Sequence, residues 1–252
     1  MTSLDTKVLR EALLDETDRL ADLYAAEDPT TPIPTCPDWT LANLIAHVGG
    51  GHRWAAAMIV NRSTENLDFA QVPEIRRPRD VGEAVAWLRD SARVVIDAVD
   101  ATGPEVPIWT PFSALRPAEW WVRRRLHEAT GHRADALLAL GREVSLDPAL
   151  AADGLSELLG LIAMGSPRFR NPLDGAADLA LHATDDGDIW RIRKSGTSIE
   201  WDDDSAPAAA TVAATAVDLY LLLLRRIPAD SPRLAVSGDR SVLTTWLERT
   251  MF

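Results

Sequence analysis

Apolar and polar positions follow a helical period through the first half of the chain. Leu9, Leu13, Leu20, Leu23 and Tyr24 recur at three- and four-residue steps with charged residues between them, which predicts an amphipathic helix. It should stop before Asp28-Pro29, because a residue preceding proline avoids the α region. TTPIPTCPDWT then carries three prolines and reads as a connector. Thr40 is the expected N-cap of a second helix with Leu41, Leu44, Ile45 and Val48 as its stripe. Gly49, Gly50 and Gly51 interrupt it. Glycine costs about 1 kcal/mol in a helix interior, so close packing or a bend is expected there. Asp80 should cap a third helix whose stripe is Val81, Val85, Leu88, Ala92, Val95, Ile96 and Val99. A fourth should start near Pro117 and end at Gly141 as C-cap. Four helices of similar length predict a four-helix bundle.

The pattern changes near residue 150. A short helix is expected at 155–162, then a Pro/Gly-rich loop. Leu179, Leu181 and Ala183 alternate with polar residues, DDGD (185–188) marks a turn, Trp190 and Ile192 resume the alternation, and Ile199 and Trp201 form a third short strand. This is the signature of an antiparallel meander. Residues 208–226 read as one helix with Val212, Ala216, Leu219 and Leu223 on a face, and Arg225 and Arg226 near its C-terminus. LAVSGD is expected as a fourth strand and 240–247 as a closing helix. The predicted class is therefore α+β: a four-helix domain over 1–148 and a smaller α+β domain over 149–252.

Composition narrows the functional classes. The chain has 252 residues, 46% hydrophobic and 25% charged, which is ordinary globular usage. A formal charge of −12 opposes binding to nucleic acid and to anionic membranes. A single cysteine, Cys36, excludes an internal disulfide and fits a reducing compartment. The opening MTSLDTKVLREALLDETDRL has no apolar signal segment, and AVDLYLLLL (216–224), interrupted by Asp218, is too short to span a bilayer. The expectation is a soluble cytoplasmic protein, monomer or homodimer.

The chemistry rests on five histidines: His47, His52, His127, His132 and His182. Glu128 and His132 are four apart on the fourth helix, so one turn separates them on one face and both can reach one ion. His127 is rotated about 100° away. On the second helix His47 follows the stripe and is expected on the core side, whereas His52 lies about 140° further round and is expected to be exposed. His47, Glu128 and His132 would make a two-histidine, one-carboxylate site between facing helices, with coordination positions left open. Such donors suit zinc first; iron, nickel or manganese are alternatives. Each part also has a plainer reading: Glu and His four apart occur by chance, and a lone helical histidine is often a hydrogen-bonded core residue. Arg123, Arg124 and Arg125 read as a solvated face. Most of the nine tryptophans read as core; Trp120 and Trp121 are candidates to line a site, Trp121 being assigned to the cofactor pocket. Cys36 is either a thiol near the site or an inert buried residue. Asp135 is either a support for the metal ligands or a surface partner of Arg133 or of a neighbouring charge.

TCPDWTLANLIAHVGGGHRW (35–54) and WTPFSALRPAEWWVRRRLHEATGHRADA (109–136) resemble two signatures of the mycothiol-dependent maleylpyruvate isomerase family. That family is a branch of the DinB-like metal-binding bundles widespread in actinobacteria. LHATDDGDIWRI (181–192), AATAVDLYLLLLRR (213–226) and VSGDRSVLTTWL (236–247) match its C-terminal part in order. The resemblance implies metal ligands at His47, Glu128 and His132, and a sterol-carrier-like C-terminal domain. It also implies an arginine near the thiol, here Arg226, with Arg225 beside it. The implied cofactors are a divalent metal and mycothiol, and the implied partners are that small-molecule thiol and an electrophilic substrate. The implied chemistry is maleylpyruvate cis-trans isomerisation or thiol S-transfer. A metal-dependent hydrolase or lyase using bound water, and a non-catalytic small-molecule-binding regulator, are the alternatives.

Overall fold

The computed structural model describes residues 4–112, 114–164, 171–175 and 177–250. The chain divides into two compact units, Asp5–Val144 and Ser145–Phe252 with Met1–Leu4.

The first unit holds four long helices, α1 (Thr6–Ala26), α2 (Leu41–Val60), α3 (Val81–Thr102) and α4 (Ala118–Ala139). Their starts follow local hydrogen-bond chemistry. Asp5 accepts from the Val8 amide, Asp80 from the Glu83 amide, and Thr40 forms a reciprocal capping box with Asn43, each satisfying amide groups the helix leaves unpaired. Pro117 occupies the cap position of α4. At the other end Gly141 takes φ +66°, and the Gly141 and Arg142 amides donate back to the Leu138 and Leu137 carbonyls at 3.0 and 2.9 Å. This is the left-handed exit expected of a glycine at that place. A short pairing of β1 (Pro107–Ile108) with β2 (Arg116–Pro117) closes the loop before α4.

Leu20, Tyr24, Ile33, Leu41, Leu44, Ile45 and Leu88 form the centre of the bundle. Burying each such side chain is worth roughly 1.5–3 kcal/mol. The glycine triplet serves close packing: a Cβ at Gly49 would stand 2.3 Å from Cζ3 of Trp87, and one at Gly51 2.5 Å from the Arg125 guanidinium. Glu16 on α1 and Arg133 on α4 form a buried ion pair, Nε to Oε2 2.7 Å, with side chains 3% and 6% exposed.

The second unit carries α5 (Pro148–Ala163), α6 (Ala216–Leu223), α7 (Arg240–Arg249) and a five-stranded sheet. The strands are β3 (Leu179–Ala183), β4 (Ile189–Ser195), β5 (Ser198–Asp202), β6 (Ala210–Ala214) and β7 (Ala235–Gly238), in the order β5-β4-β3-β6-β7. The meander β3-β4-β5 is antiparallel, with Leu181 opposite Trp190 and Ile192 opposite Trp201. The strand expected at LAVSGD is β7. Helix α5 is longer than the expected 155–162. Part of the Pro/Gly-rich stretch after it, 165–170, lies outside the described residues.

One element differs from its predicted type. The single helix expected over 208–226 is a strand followed by a helix: β6 runs parallel to β3, with Val212 opposite Leu181. Ala210, Val212 and Ala214 are buried in alternation. Alanine fits either period, and pairing with β3 decides it in favour of a strand. Thr215 then caps α6 by accepting from the Asp218 amide. Most of α6 is buried on every side, which explains the unbroken LYLLLL run.

Candidate metal centre

Helices α2 and α4 bring His47, Glu128 and His132 together. One donor atom from each lies within 4.8 Å of the other two. His47 Nε2 is 3.4 Å and His132 Nε2 3.7 Å from the same oxygen, Glu128 Oε2. The other carboxylate oxygen, Oε1, is taken by the Arg124 guanidinium one turn earlier on α4. Arg125 Nη1 stands 3.9 Å from Oε2. Glu128 thus presents a single oxygen to the two imidazoles.

Burial pushes the Glu128 carboxyl up, but Arg124, the His47 hydrogen bond, Arg125 and His132 together outweigh it and hold the group well below the usual carboxylate range. Burial and the Arg124 charge draw the Arg125 guanidinium down to about 10 against the pull of Glu128. His47 is 44% exposed and His132 14%, so the group opens on the His47 side. This corrects the core-side placement expected for His47: the imidazole stands at the rim of the bundle, beside the stripe.

His52 is the larger correction. It is fully buried, with Nδ1 against the Val48 carbonyl and Nε2 3.5 Å from the Thr17 hydroxyl. Helix α2 is packed on more than one side, so angular distance from its stripe does not lead to solvent. Burial is the largest influence on its basicity, followed by the Arg125 charge, and its pKa falls to about 3. The arginine run is corrected as well. Arg125 is 5% exposed and donates to the Val48 carbonyl at 3.2 Å, in the space that Gly51 leaves by lacking a side chain. Asp135 is fully buried rather than a surface partner of Arg133, which pairs with Glu16. Its Oδ2 lies 2.9 Å from His132 Nδ1 and accepts from Cys36 Sγ at 3.5 Å.

Sequence reasoning missed Trp39. Its ring lies 5.0 Å from that of His47 and 5.8 Å from that of His132, centroid to centroid. The signal was its place in TCPDW, four residues after Thr35. Trp121 is 2% exposed and meets Trp54 and Trp120 edge-on; Trp120 keeps more surface. Arg225 and Arg226 belong to the second unit. The Arg225 and Arg226 amides donate to the Leu222 and Leu221 carbonyls at 2.9 and 2.8 Å, closing α6. The Arg225 side chain is spent on the Leu247 carbonyl and the Thr250 hydroxyl. Arg226 is half-buried, its Nη1 donating to the Leu224 carbonyl.

A family model for the mycothiol maleylpyruvate isomerase N-terminal domain matches residues 10–137, and one for the C-terminal domain of the same family matches residues 149–245. The chain belongs to this family. A crystal structure of a mycothiol-dependent maleylpyruvate isomerase has the same α+β fold: 15% identity, TM-score 0.58, covering 95% of this chain and 97% of that one. Two Mycobacterium tuberculosis proteins, from strains CDC 1551 and H37Rv and both described as uncharacterized, are 28% identical over 151 residues. Each alignment covers 58% of this chain and 72% of the relative.

Proposed function

We propose that this chain is a mycothiol-dependent metalloenzyme acting on an electrophilic small molecule, by isomerisation or by S-transfer. The observation that carries the reading is the convergence of two imidazole nitrogens and one carboxylate oxygen within 4.8 Å. Nitrogen and oxygen donors without thiolate suit zinc among the common divalent ions. The half-exposed His47 leaves an approach for a further ligand. Family membership supports the thiol and the reaction class in this reading.

His47, Glu128 and His132 would hold the ion, which would supply a Lewis-acid centre that keeps a bound thiol deprotonated at neutral pH. Arg124 occupies Oε1 of Glu128 and so directs Oε2 toward the histidines. Arg125, beneath Gly51, adds a second positive charge beside the carboxylate and keeps it ionised. Trp120, backed by Trp121, would supply an apolar wall for the thiol's scaffold. Arg226 is proposed for the thiol or for a substrate carboxylate.

Metal analysis of the purified protein, followed by calorimetric titration with mycothiol, tests this. The expected result is about one divalent ion per chain, lost or weakened at least tenfold in His132→Ala, because a three-ligand site missing one ligand loses much of its affinity. Turnover should require the thiol. Unchanged metal content in the variant removes His132 from the site, and turnover without thiol refutes the mycothiol reading.

A further inference from the structure

Asp135 has no part in the triad, yet it is wholly buried within hydrogen-bond reach of one of its members. Its Oδ1 accepts from the Thr35 hydroxyl at 2.6 Å, and its Oδ2 accepts from the Cys36 thiol at 3.5 Å and lies 2.9 Å from His132 Nδ1. The carboxylate is 0% exposed, so these donors stand in for water. We propose that Asp135, braced by Thr35 and Cys36, is a positioning residue that fixes His132 in the tautomer whose bare Nε2 faces His47 and Glu128. The inference rests on the metal reading above and adds what holds the third ligand in place.

The argument follows from the two nitrogens of one ring. A neutral imidazole carries a single N–H. A carboxylate oxygen 2.9 Å from Nδ1 requires the hydrogen on that nitrogen, since a lone pair there would face a negative charge. Nε2 is then bare and points toward Glu128 Oε2, 3.7 Å away. Two lone-pair-bearing atoms directed at one place suit a shared cation. A carboxylate behind a metal-binding histidine orients the ring and raises its basicity.

A second group of donors, Cys36, His132 and Asp135, is equally compact. It would use Nδ1, and that would put the hydrogen on Nε2 and spoil the outer triad. One ring cannot serve both through bare nitrogens. The Thr35 hydroxyl decides between them: it already engages Asp135, at the shortest of the three distances, which suits an anchored carboxylate rather than a ligand awaiting an ion.

The same reading accounts for the TCPDW stretch. Cys36 and Trp39 amides donate to the Ile33 and Cys36 carbonyls at 2.9 and 3.0 Å, and the Ile33 amide to the Trp39 carbonyl at 2.9 Å. Asp38 turns the chain at φ +67°. This tight loop places Thr35 and Cys36 on Asp135 while setting Trp39 against both imidazoles. The connector therefore braces the candidate centre from one side.

The test uses the full chain, with circular dichroism and thermal melts as folding controls. Nitrogen and carbon chemical shifts of His132 at neutral pH, in metal-free protein, should show the Nδ1–H form. Asp135→Ala should lose it, Asp135→Glu should restore part of it, and Thr35→Val should shift it in the same direction by less. Zinc or cobalt affinity should fall about 10–100-fold in Asp135→Ala. An Nε2–H or doubly protonated ring in the parent overturns the proposal, as does an Asp135→Ala protein with parental tautomer and affinity. If Asp135→Ala fails to fold, an unchanged His132 signal in Thr35→Val overturns it instead. A parent that binds no metal defeats the proposed function, while the tautomer signals still decide the role of Asp135.

Discussion

His52 shows how far one buried imidazole couples to acidity. Its pKa in the fold is about 3 against 6.5 in the open chain. Between those values the unfolded chain takes up a proton that the folded chain refuses. Stability is therefore undiminished by this group above pH 6.5 and declines as pH falls through the window toward 3. Denaturant melts from pH 7 to pH 4 should show that decline, and His52→Gln should flatten part of it. Identical slopes in parent and variant would show that His52 does not titrate in this way. Arg225 is a second residue whose conformation carries a cost. It sits at φ +65°, a region that disfavours side chains by roughly 1–2 kcal/mol. It is retained where its guanidinium ties α6 to the end of α7. Arg225→Gly relieves the backbone but removes those bonds, so the melting temperature should fall rather than rise.

At the scale of elements, α2 approaches its neighbours through glycine, meeting α3 at Gly49 and α4 at Gly51. Gly49→Ala would drive a methyl group into the Trp87 ring. The expected cost is about 1–3 kcal/mol, read as a shift in the denaturation midpoint with the transition slope unchanged. No shift would mean that the ring moves aside. What was legible in the residues divides along the same line. Thr40, Asp80 and Gly141 were readable because a cap or a left-handed exit is decided by a few neighbouring atoms. Glu128 and His132 were readable because one helical turn separates them whatever surrounds the helix. The burial of His52 and Arg125 was not readable, since it depends on the space glycine leaves between helices and on how much of α2 is covered. Nor was β6: alanine is compatible with both periods, and only its distant partner β3 selects the strand.

At the scale of the molecule, every proposed metal ligand and the Asp135 brace lie in Asp5–Val144, whereas Arg226 lies in the other unit. The proposed labour is divided accordingly. Expressed alone, residues 5–144 should still bind a divalent ion in equilibrium dialysis, yet show no thiol-dependent turnover. Loss of metal binding in a folded fragment would show that the second unit contributes to the centre itself. Among the described residues no helix is long and apolar enough to cross a membrane.

The Glu16–Arg133 pair links α1 to α4 one residue beyond His132. Removing one member of such a buried pair leaves a stranded charge, at about 3–5 kcal/mol, whereas replacing both by apolar residues of similar size is often tolerated. Positions 16 and 133 are therefore free to drift only in concert. A relative that lacked the acid in its first helix would be expected to lack the base as well, and a protein engineer grafting His47, Glu128 and His132 onto another scaffold would have to transplant a piece of α1 along with them.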